Sequence, residues 1–505
     1  MKSKSIIFLS VLSLALASCA CGAGTDNVKI VPNPVNKVET GRSISGKAAD
    51  KVSTRICKRL EREEYRLVIG RCGVKIVAGS KAGIVWAEQT LDQIRIQSPE
   101  GTLPCLKIED KPFFEYRGAL LDCSRYFFPV EDVKNWIDIM ATHKLNKFHW
   151  HLTDDQGWRL QLDCFPELTE KGSVRAQTKV GHYFDYDLGY DGTPYGGFYT
   201  KDEVREIVAY AAERGIDVIP EIEMPGHSQE VLAVFPQYGC TGGPYEVRQT
   251  WSISDDVLCL GKPGTLDFLH TVLDEVCDLF PGEYINIGGD EVHPDTWQAC
   301  PDCQAFMKEH GMTDVMEIQR WLVGEIEQYL LAKGKKMIGW GEIFAGCTDP
   351  STTVLSWRGT KTGIEAAEKG MHSVMCPGRL GMYLDYYQTP QCRKREPLAI
   401  HANWYTDLAK VYAYNPLEGI PAEKTQFVSG LQANLWTEYI PTLEALRHMA
   451  LPRLAAAAET AWSGIEGKTE FEDFKARVHD VMLPVYEARG YNYAPYEWEE
   501  YIEEQ

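Results

Sequence analysis

Eight short apolar segments, separated by segments of helical periodicity, constrain the fold of this chain more than any other feature. They span residues 118–122, 147–152, 217–222, 284–287, 336–340, 353–357, 372–376 and 427–435. Strands that alternate with helices form parallel sheets, and eight in sequence favour closure over an open doubly wound sheet. The sequence therefore predicts a (β/α)8 TIM barrel over residues 113–505.

The segments between the strands carry helix signals. Thr200 and Glu203 form a capping box, and Pro129 precedes a helical stretch at 130–143. Upstream, two β-like runs at 65–69 and 74–78 precede an amphipathic helix. We expect a small α/β domain at 48–112, preceded by a polar linker at 20–47.

The N-terminus has the features of an export signal. Lys2 and Lys4 precede an apolar stretch at 6–17, and Leu16-Ala17-Ser18-Cys19 is typical of a bacterial lipoprotein signal. The alternative is an ordinary secretory signal cleaved at 20–23. We interpret residues 1–19 as a lipoprotein signal peptide and expect an exported protein, lipid-anchored at Cys19 to the bacterial outer membrane or periplasmic, with no other membrane association.

Charge and cysteine content narrow the ligand classes. A net charge of −20 argues against nucleic acid as a partner, because such binding requires neutralisation of phosphates. The chain has 15 cysteines without the regular spacing of a disulfide scaffold. Cys300 and Cys303 have CxxC spacing, but no second CxxC or nearby His pair completes a zinc site, so we expect a local disulfide or loop staple there.

Acidic and aromatic residues follow the predicted strands. Asp290 and Glu291 come directly after one strand and follow Gly288-Gly289, which allows a sharp turn and close approach of a ligand. Further acids and aromatic residues follow the other strands, and in a barrel all of these ends meet at one mouth. Aromatic faces among carboxylates are typical of a sugar site, and the chain has neither a Gly-rich phosphate loop nor a GxSxG elbow.

These residues resemble glycoside hydrolase family 20, the β-N-acetylhexosaminidases. The specific motifs are RGALLDCSR at 117–125, HWHLTDDQGWR at 149–159, EIEMPGH at 221–227 and GGDE at 288–291, extended by SWRG at 356–359, YLD at 383–385 and LWTE at 435–438. The resemblance covers nearly the whole mature chain, including the small domain. It implies exo-acting, retaining hydrolysis of terminal non-reducing β-linked N-acetylhexosamine from glycans, with GlcNAc, GalNAc or both as the sugar.

The resemblance also implies the catalytic roles. The 2-acetamido oxygen of the substrate attacks in place of an enzyme nucleophile and forms an oxazolinium intermediate. Glu291 is implied as the general acid and base, with a pKa near working pH, and an ionised Asp290 as the group that stabilises the acetamide. Tyr383 matches the donor to the acetamide oxygen. His227 and Asp154 match the pair that tunes the acid, with Asp155 open as an alternative to Asp154.

The remaining matched residues are implied to bind the sugar. They are Trp340, Trp357 and Trp436 as walls, and Arg125, Asp385 and Glu438 as partners of the outer hydroxyls. No cofactor or metal is implied, and the sequence gathers no set of three metal ligands. His149 and His151 are interpreted as structural.

Two other functions stay open at this point. One is a sugar-binding barrel without catalysis. The other is a conventional two-carboxylate glycosidase with Glu221 or Glu342 as nucleophile or base. A Gly- and Tyr-rich loop at 175–198 either shapes the aglycone side or is a plain surface excursion, and the sequence does not indicate the oligomeric state.

Overall fold

A computed structural model describes residues 28–394, 399, 404–495 and 497. Its centre is a closed barrel of eight parallel strands arranged in chain order. The predicted TIM barrel is therefore confirmed. Among the described helices, none is long and apolar enough to cross a bilayer. Cys19 and the predicted signal peptide lie outside the described residues.

The small domain contains a five-stranded sheet in the order β1-β5-β3-β4-β2. Its strands are β1 Asn36–Ser45, β2 Val52–Ile56, β3 Tyr65–Gly70, β4 Gly73–Ala78 and β5 Thr102–Asp110. The helix Lys81–Gln97 packs its apolar face on this sheet. The prediction of a linker at 20–47 is wrong for 36–45: this polar, mostly exposed segment is strand β1, which pairs with β5 at the sheet edge and so lacks the apolar pattern of a buried strand.

The barrel strands lie within two residues of the predicted segments. They are β6 Tyr116–Asp122, β7 Lys147–His151, β8 Asp217–Glu221, β9 Tyr284–Asn286, β10 Lys336–Trp340, β11 Thr353–Ser356, β12 His372–Met375 and β13 Val428–Leu435. All but β10 are followed by at least one α-helix before the next barrel strand or the end of the described chain. After β10 the chain forms only a 3-10 helix, Gly341–Ala345.

The α-helices of the barrel domain surround these strands and extend beyond them. They are Val130–Thr142, Glu167–Glu170, Lys201–Glu213, Gln229–Val234, Thr265–Leu279, Asp295–Ala299, Pro301–Glu309, Glu317–Ala332, Lys361–Glu368, Leu408–Ala413, Leu443–Ala450, Arg453–Ser463, Phe471–Arg477 and Leu483–Arg489. Both halves of the predicted capping box form, since the Thr200 hydroxyl accepts from the Glu203 amide and the Glu203 carboxylate accepts from the Thr200 amide.

Strand register brings polar residues together inside the barrel. Asp122 of β6 pairs with His151 of β7, which pairs with Glu221 of β8, which pairs with Asn286 of β9. All four are buried. One layer at the carboxyl end of the barrel is therefore polar and ionisable, directly beneath the mouth where the site residues lie.

Buried ion pairs join the small domain to the opposite end of the barrel. Arg117, near the start of β6, donates to both carboxylate oxygens of Glu63 at 2.8 and 3.0 Å. Lys144 lies 3.3 Å from Asp110, and the Trp462 indole donates to the same carboxylate at 3.0 Å. Charged groups at such an interface must be paired when they are buried. The small domain is therefore fixed to the barrel, away from its mouth.

The loop at 175–198 is anchored at both ends. Val174–Arg175 and Tyr195–Gly196 pair as two short strands, and the buried Arg175 guanidinium lies 4.4 Å from the centre of the Tyr195 ring. Tyr186 between them is largely exposed. Within the described part of the chain, none of the loop residues lines the cavity at the barrel mouth.

Candidate active site

A cavity of about 480 Å³ opens at the carboxyl ends of the barrel strands. This volume suits a small-molecule ligand. Its lining includes ten of the eleven residues implied for catalysis or sugar binding: Arg125, Asp154, His227, Asp290, Glu291, Trp357, Tyr383, Asp385, Trp436 and Glu438. The barrel therefore brings together residues that are as far apart as 313 positions in the chain (438 minus 125).

Trp340 is the exception. It is buried beneath the cavity, and its ring lies 5.6 Å from that of Trp436 and 6.5 Å from that of Trp357. Its indole N–H donates to Glu221 at 2.6 Å. Trp340, which the resemblance implies as a wall of the sugar pocket, thus packs behind the two tryptophans that line the cavity.

Aromatic rings form the walls. Trp357 and Tyr383 face each other with nearly parallel rings, 7° apart in orientation and 6.4 Å between centroids. Trp436 is tilted by 60° to Tyr383 at 6.5 Å. Rings on more than one side can enclose the apolar face and the N-acetyl group of a sugar.

The loops that carry Glu291 and His227 have unusual backbone conformations. Glu291 has φ 52° and His227 has φ 47°, and only Lys144 and Ser252 share a positive φ among the non-glycine residues that the structure describes. Such conformations cost about 1–3 kcal/mol each and occur preferentially at functional sites. Two of the four instances are thus the implied acid and the histidine beside it.

Gly288 and Gly289 are required by packing as well as by conformation. Their φ values are 62° and 86°. A β-carbon on Gly288 would lie 1.7 Å from the Glu223 carboxylate, and one on Gly289 would lie 2.5 Å from Ile343. The close approach predicted for a ligand at these glycines is instead made by Glu223 and Ile343, and it fixes the position of the Asp290 backbone.

His227 is the centre of the acidic cluster. Its Nδ1 lies 3.1 Å from Asp154 and 3.9 Å from Asp155, while its Nε2 lies 3.5 Å from Glu291 and 3.7 Å from Asp290. The geometry favours Asp154 as the residue that orients the imidazole. Asp155 instead accepts hydrogen bonds from the backbone amides of Gln229 and Ser254, each at 3.1 Å, and so joins two loops.

Arg125 connects this cluster to the sugar-binding side. Its guanidinium lies 2.7 Å from Asp154 and 3.3 Å from Asp122, and it lies over the Trp436 ring at 5.1 Å. Burial disfavours this charge, but the carboxylates around it, Asp154 first, hold the pKa of Arg125 well above its usual value. The arginine therefore stays charged in the cavity wall.

The electrostatics differ from the expectation for Glu291. Burial raises its pKa, but the hydrogen bond and positive charge of His227 outweigh burial, so the net shift is downward. The pKa of His227 is itself well above its usual value, since Asp154 and Asp290 outweigh burial. Burial and the Glu223 carboxylate raise the pKa of Asp290 well above the ordinary aspartate range. Without a ligand, the proton is thus favoured on Asp290 and His227 and disfavoured on Glu291.

Asp385 and Glu438 form a second acidic pair across the cavity. Both are buried, and the pKa of Glu438 is raised to about 6, chiefly by burial. Burial and the charge of Glu438 also raise the pKa of Asp385 well above its usual value. Neither carboxylate oxygen of Asp385 has a well-aligned hydrogen bond within the described structure. Ligand hydroxyl groups could supply these missing donors.

The two rival carboxylates do not face the cavity. Glu221 is buried beneath Trp340 with His149 at 2.8 Å, and Glu342 accepts hydrogen bonds from Trp357 at 3.0 Å and Arg358 at 2.9 Å. Neither lines the cavity as the described residues define it. Glu221 therefore has no access to the cavity. Glu342 lines a neighbouring pocket that shares Glu291, Trp357 and Arg358 with the cavity, and two hydrogen bonds hold its carboxylate there.

Several residues at or beneath the cavity were given no catalytic or sugar-binding role from the sequence. Arg358 and Arg379 line the cavity, and Arg358 lies 3.7 Å from Glu291. His151 lies within 3.5 Å of Asp122, Asp154 and Glu223 beneath it, and the pKa of Glu223 is raised to about 7 by burial and by Glu221. Two-residue spacing of His149 and His151 on one strand could have indicated that both point into the barrel.

The prediction that the chain gathers no three metal ligands is wrong for the described residues. Three histidine and carboxylate sets lie at the cavity, namely His151-Asp154-Glu223, Asp154-Asp155-His227 and His227-Asp290-Glu291, and Cys240, Cys259, Cys300 and Cys303 form a fourth set elsewhere. At the cavity, Arg125 and the two histidines already counter the acids. The cysteines are separated by up to 63 residues, so their convergence is invisible in sequence spacing.

Comparisons with known proteins agree on one family. The family model for the catalytic domain of glycosyl hydrolase family 20 matches residues 114–465, and the model for domain 2 of that family matches residues 25–111. The chain is 42% identical over 466 residues to a beta-hexosaminidase of Porphyromonas gingivalis, covering 90% of this chain and 58% of that protein. It is 35% identical to a beta-hexosaminidase of Akkermansia muciniphila, covering 90% of each. The chain thus spans less than two thirds of the Porphyromonas relative.

Solved structures agree with the sequence relatives. A GH20 exo beta-N-acetylglucosaminidase from Vibrio harveyi in complex with N-acetylglucosamine matches with a TM-score of 0.81 and 30% identity over 95% of this chain and 80% of that one. A mutant Streptomyces plicatus beta-hexosaminidase in complex with product matches with a TM-score of 0.78 and 30% identity, covering 93% and 97%. The likeness therefore extends over both domains.

The close packing at Gly288 gives a first prediction. Gly288→Ala should lower the free energy of unfolding by about 1–3 kcal/mol, because an L side chain is strained at this φ and meets the Glu223 carboxylate. Denaturant unfolding of the purified variant measures this loss. Gly70→Ala is the control, since a β-carbon there has no neighbour within 4 Å and Gly70 has no positive φ. Equal midpoints for the two variants would contradict the packing argument.

Proposed function

The chain belongs to glycosyl hydrolase family 20, and on that premise we propose that it is a β-N-acetylhexosaminidase that removes terminal, non-reducing β-linked GlcNAc or GalNAc from glycans. The proposed reaction retains anomeric configuration and proceeds through an oxazolinium intermediate. The partner is thus a glycan or oligosaccharide with a terminal N-acetylhexosamine, and no cofactor is required.

One observation carries the proposal. The Oδ1 atom of Asp290 is buried and has no hydrogen-bond partner among the described residues. An acceptor left unpaired in a buried site costs about 1–3 kcal/mol, so an N–H donated by a ligand in the cavity that Asp290 lines would stabilise this carboxylate. A 2-acetamido group supplies such an N–H together with the carbonyl oxygen that can attack the anomeric carbon, whereas a 2-hydroxyl group can donate to Asp290 but has no such oxygen.

The acetamide oxygen then acts as the nucleophile. It bonds to the anomeric carbon while the bond from that carbon to the leaving oxygen breaks, and Glu291 gives its proton to the leaving oxygen. Water next attacks the anomeric carbon of the oxazolinium ion, Glu291 takes a proton from that water, and the acetamide is restored. Trp357, Tyr383 and Trp436 enclose the group, which supports holding it in position for attack.

The electrostatics support a proton rearrangement on binding. A hydrogen bond from the ligand N–H stabilises ionised Asp290 and lowers its pKa. The charges of Asp290 and Glu291 disfavour each other, so ionisation of Asp290 raises the pKa of Glu291. Substrate binding thus favours the proton on Glu291, where the reaction needs it. Asp154 stabilises the positive charge of His227, and that charge lowers the pKa of both Asp290 and Glu291.

The outer hydroxyl groups of the sugar are assigned to the opposite side of the cavity. Arg125 donates hydrogen bonds there, and Asp385 and Glu438 accept them, which would complete the missing partners of Asp385. Trp340 supports this pocket from beneath. A single sugar ring contacted from both sides of the cavity accords with removal of terminal residues.

Substrate comparison tests the mechanism. The purified protein should hydrolyse p-nitrophenyl β-N-acetylglucosaminide at least about 10³-fold faster than the β-glucoside, a barrier difference on the order of 4 kcal/mol, because only the first carries the internal nucleophile. Initial rates of p-nitrophenol release measure the ratio. Equal rates would sink the substrate-assisted mechanism, and turnover of neither substrate would favour a non-catalytic sugar-binding barrel.

Asp290→Asn tests the proposed role of Asp290. We expect kcat to fall by about 10²–10³-fold with the fold intact, since the neutral amide cannot stabilise the charge that develops on the acetamide. The basic limb of the kcat profile should also move to lower pH, because Glu291 loses the neighbouring charge that raises its pKa.

Asp385→Asn is the matched control for this variant. It should raise KM through loss of hydroxyl contacts without moving the basic limb, because Asp385 is coupled to Glu438 rather than to Glu291. An unchanged basic limb in Asp290→Asn would contradict the proposed proton coupling, and unchanged kcat would remove Asp290 from the mechanism.

We also propose that the protein is exported and lipid-anchored through Cys19. The basic start, the apolar stretch at 6–17 and the Leu-Ala-Ser-Cys sequence support this localisation. Full-length protein expressed in a bacterium that processes lipoproteins should partition into the detergent phase. Cys19→Ser should move it to the aqueous phase, whereas Cys21→Ser should not. Detergent partitioning that persists in Cys19→Ser would contradict the lipid anchor.

A further inference from the structure

Four cysteines converge at the side of the barrel mouth. Cys240 and Cys259 come from the long loop after β8, and Cys300 and Cys303 come from the segment after β9. All four sulfurs lie within 4.8 Å of one another, and three of the cysteines are buried. None of them is joined in a disulfide. The expectation of a local Cys300–Cys303 disulfide therefore does not describe this arrangement.

The sulfur separations match a tetrahedral metal site. Cys259 lies 3.7 Å from Cys300 and 3.3 Å from Cys303, and Cys240 lies 3.8 Å from Cys303. Zinc bound to four thiolates at about 2.3 Å places its ligands about 3.8 Å apart along the edges of a tetrahedron. A disulfide instead brings one pair of sulfurs to about 2.05 Å. Here Cys259 is near two sulfurs and bonded to neither.

The backbone fixes this arrangement from both sides. Cys300 is the N-cap of the helix Pro301–Glu309, and Cys303 lies in its first turn. Gly239 and Leu258 form an antiparallel β-bridge, which holds together the two segments that carry Cys240 and Cys259. A β-carbon on Gly261 would lie 2.2 Å from the Asp302 carbonyl, so the two cysteine-bearing segments are in close contact.

The cluster joins the two loops that carry the proposed acid and its histidine. The amide of Leu258, next to Cys259, donates to the Pro225 carbonyl at 2.9 Å, two residues before His227. The Trp297 indole, between Glu291 and Cys300 in the chain, donates to the Leu258 carbonyl at 2.9 Å. Both connections lead from the cysteines to strained backbone at the active site.

We propose that Cys240, Cys259, Cys300 and Cys303 bind one Zn²⁺ ion as a structural site that fixes the loops carrying His227 and Glu291. Metal binding releases the four thiol protons and leaves a tetrathiolate centre with a net charge of −2. The N-terminal end of the helix Pro301–Glu309 favours this negative charge, and Lys262 lies at its edge in a salt bridge with Asp302 at 2.6 Å. The ion takes no part in the hydrolysis.

Metal analysis of the full-length protein tests the site. The protein, expressed with zinc in the medium and purified under reducing conditions without chelator, should contain about one zinc per chain by plasma mass spectrometry. Cys303→Ser should lose most of this zinc and unfold at a lower temperature, because a structural ion stabilises the folded chain. Cys105→Ser is the control, since Cys105 is equally free and buried but lies in β5 of the small domain.

A second measurement does not depend on a variant that folds. Exchange of the wild-type protein into Co²⁺ should give intense visible bands with sulfur-to-metal charge transfer, the signature of tetrahedral thiolate ligation. Mass mapping of the cysteines without reductant distinguishes the alternatives. Disulfides within the cluster, or four unmodified thiols in a protein that binds neither zinc nor cobalt, would overturn the proposal, as would equal zinc content in Cys303→Ser and Cys105→Ser.

Discussion

The burial of many carboxylates at one end of a barrel is the constraint on which the rest of this structure depends. Asp122, Asp154, Glu221, Glu223 and Asp290 are all almost fully buried, and a buried charge is tolerated only where it is paired or protonated. The cations are few: Arg125, His151 and His227 each contact more than one acid. Shared cations and raised pKa values together keep the acidic cluster compatible with a folded barrel.

Strand register determines the ionisable layer at the carboxyl end of the barrel, and contacts with the small domain stabilise the opposite end. The pairing of Asp122, His151 and Glu221 across three neighbouring strands sets the ionisable layer without any loop. At the other end, the Glu63–Arg117 ion pair fixes the start of β6 against the small domain. The mouth can therefore hold strained, charged loops while stability comes from packing and ion pairs elsewhere.

The sequence predicted the barrel strands closely because each is a short buried run between helices with clear end signals, such as Thr200 and Glu203. It predicted most of the cavity lining because the motifs follow those strands. It failed at β1, whose exposed edge has no apolar pattern, and it could not give the depth of Trp340, which depends on the rings packed above it. The pKa of Glu291 and the meeting of four cysteines depend on three-dimensional neighbours that are remote in the chain, so no spacing rule could reveal them.

The positions of the His227 and Glu291 side chains depend on loops whose backbone is strained at these two residues. The strands fix where the loops after β8 and β9 begin, but the side chains of His227 and Glu291 are aimed by backbone in the left-handed region, which relaxes unless its surroundings hold it. Gly288 and Gly289 permit the turn before Glu291, but as glycines they do not restrict the backbone to that conformation. The hydrogen bonds of Leu258 with Pro225 and Trp297 connect both loops to the cysteine cluster. The fold therefore supplies the position of Glu291, and the contacts behind the loops supply its orientation, which is the property that the proposed acid catalysis on a bound sugar requires.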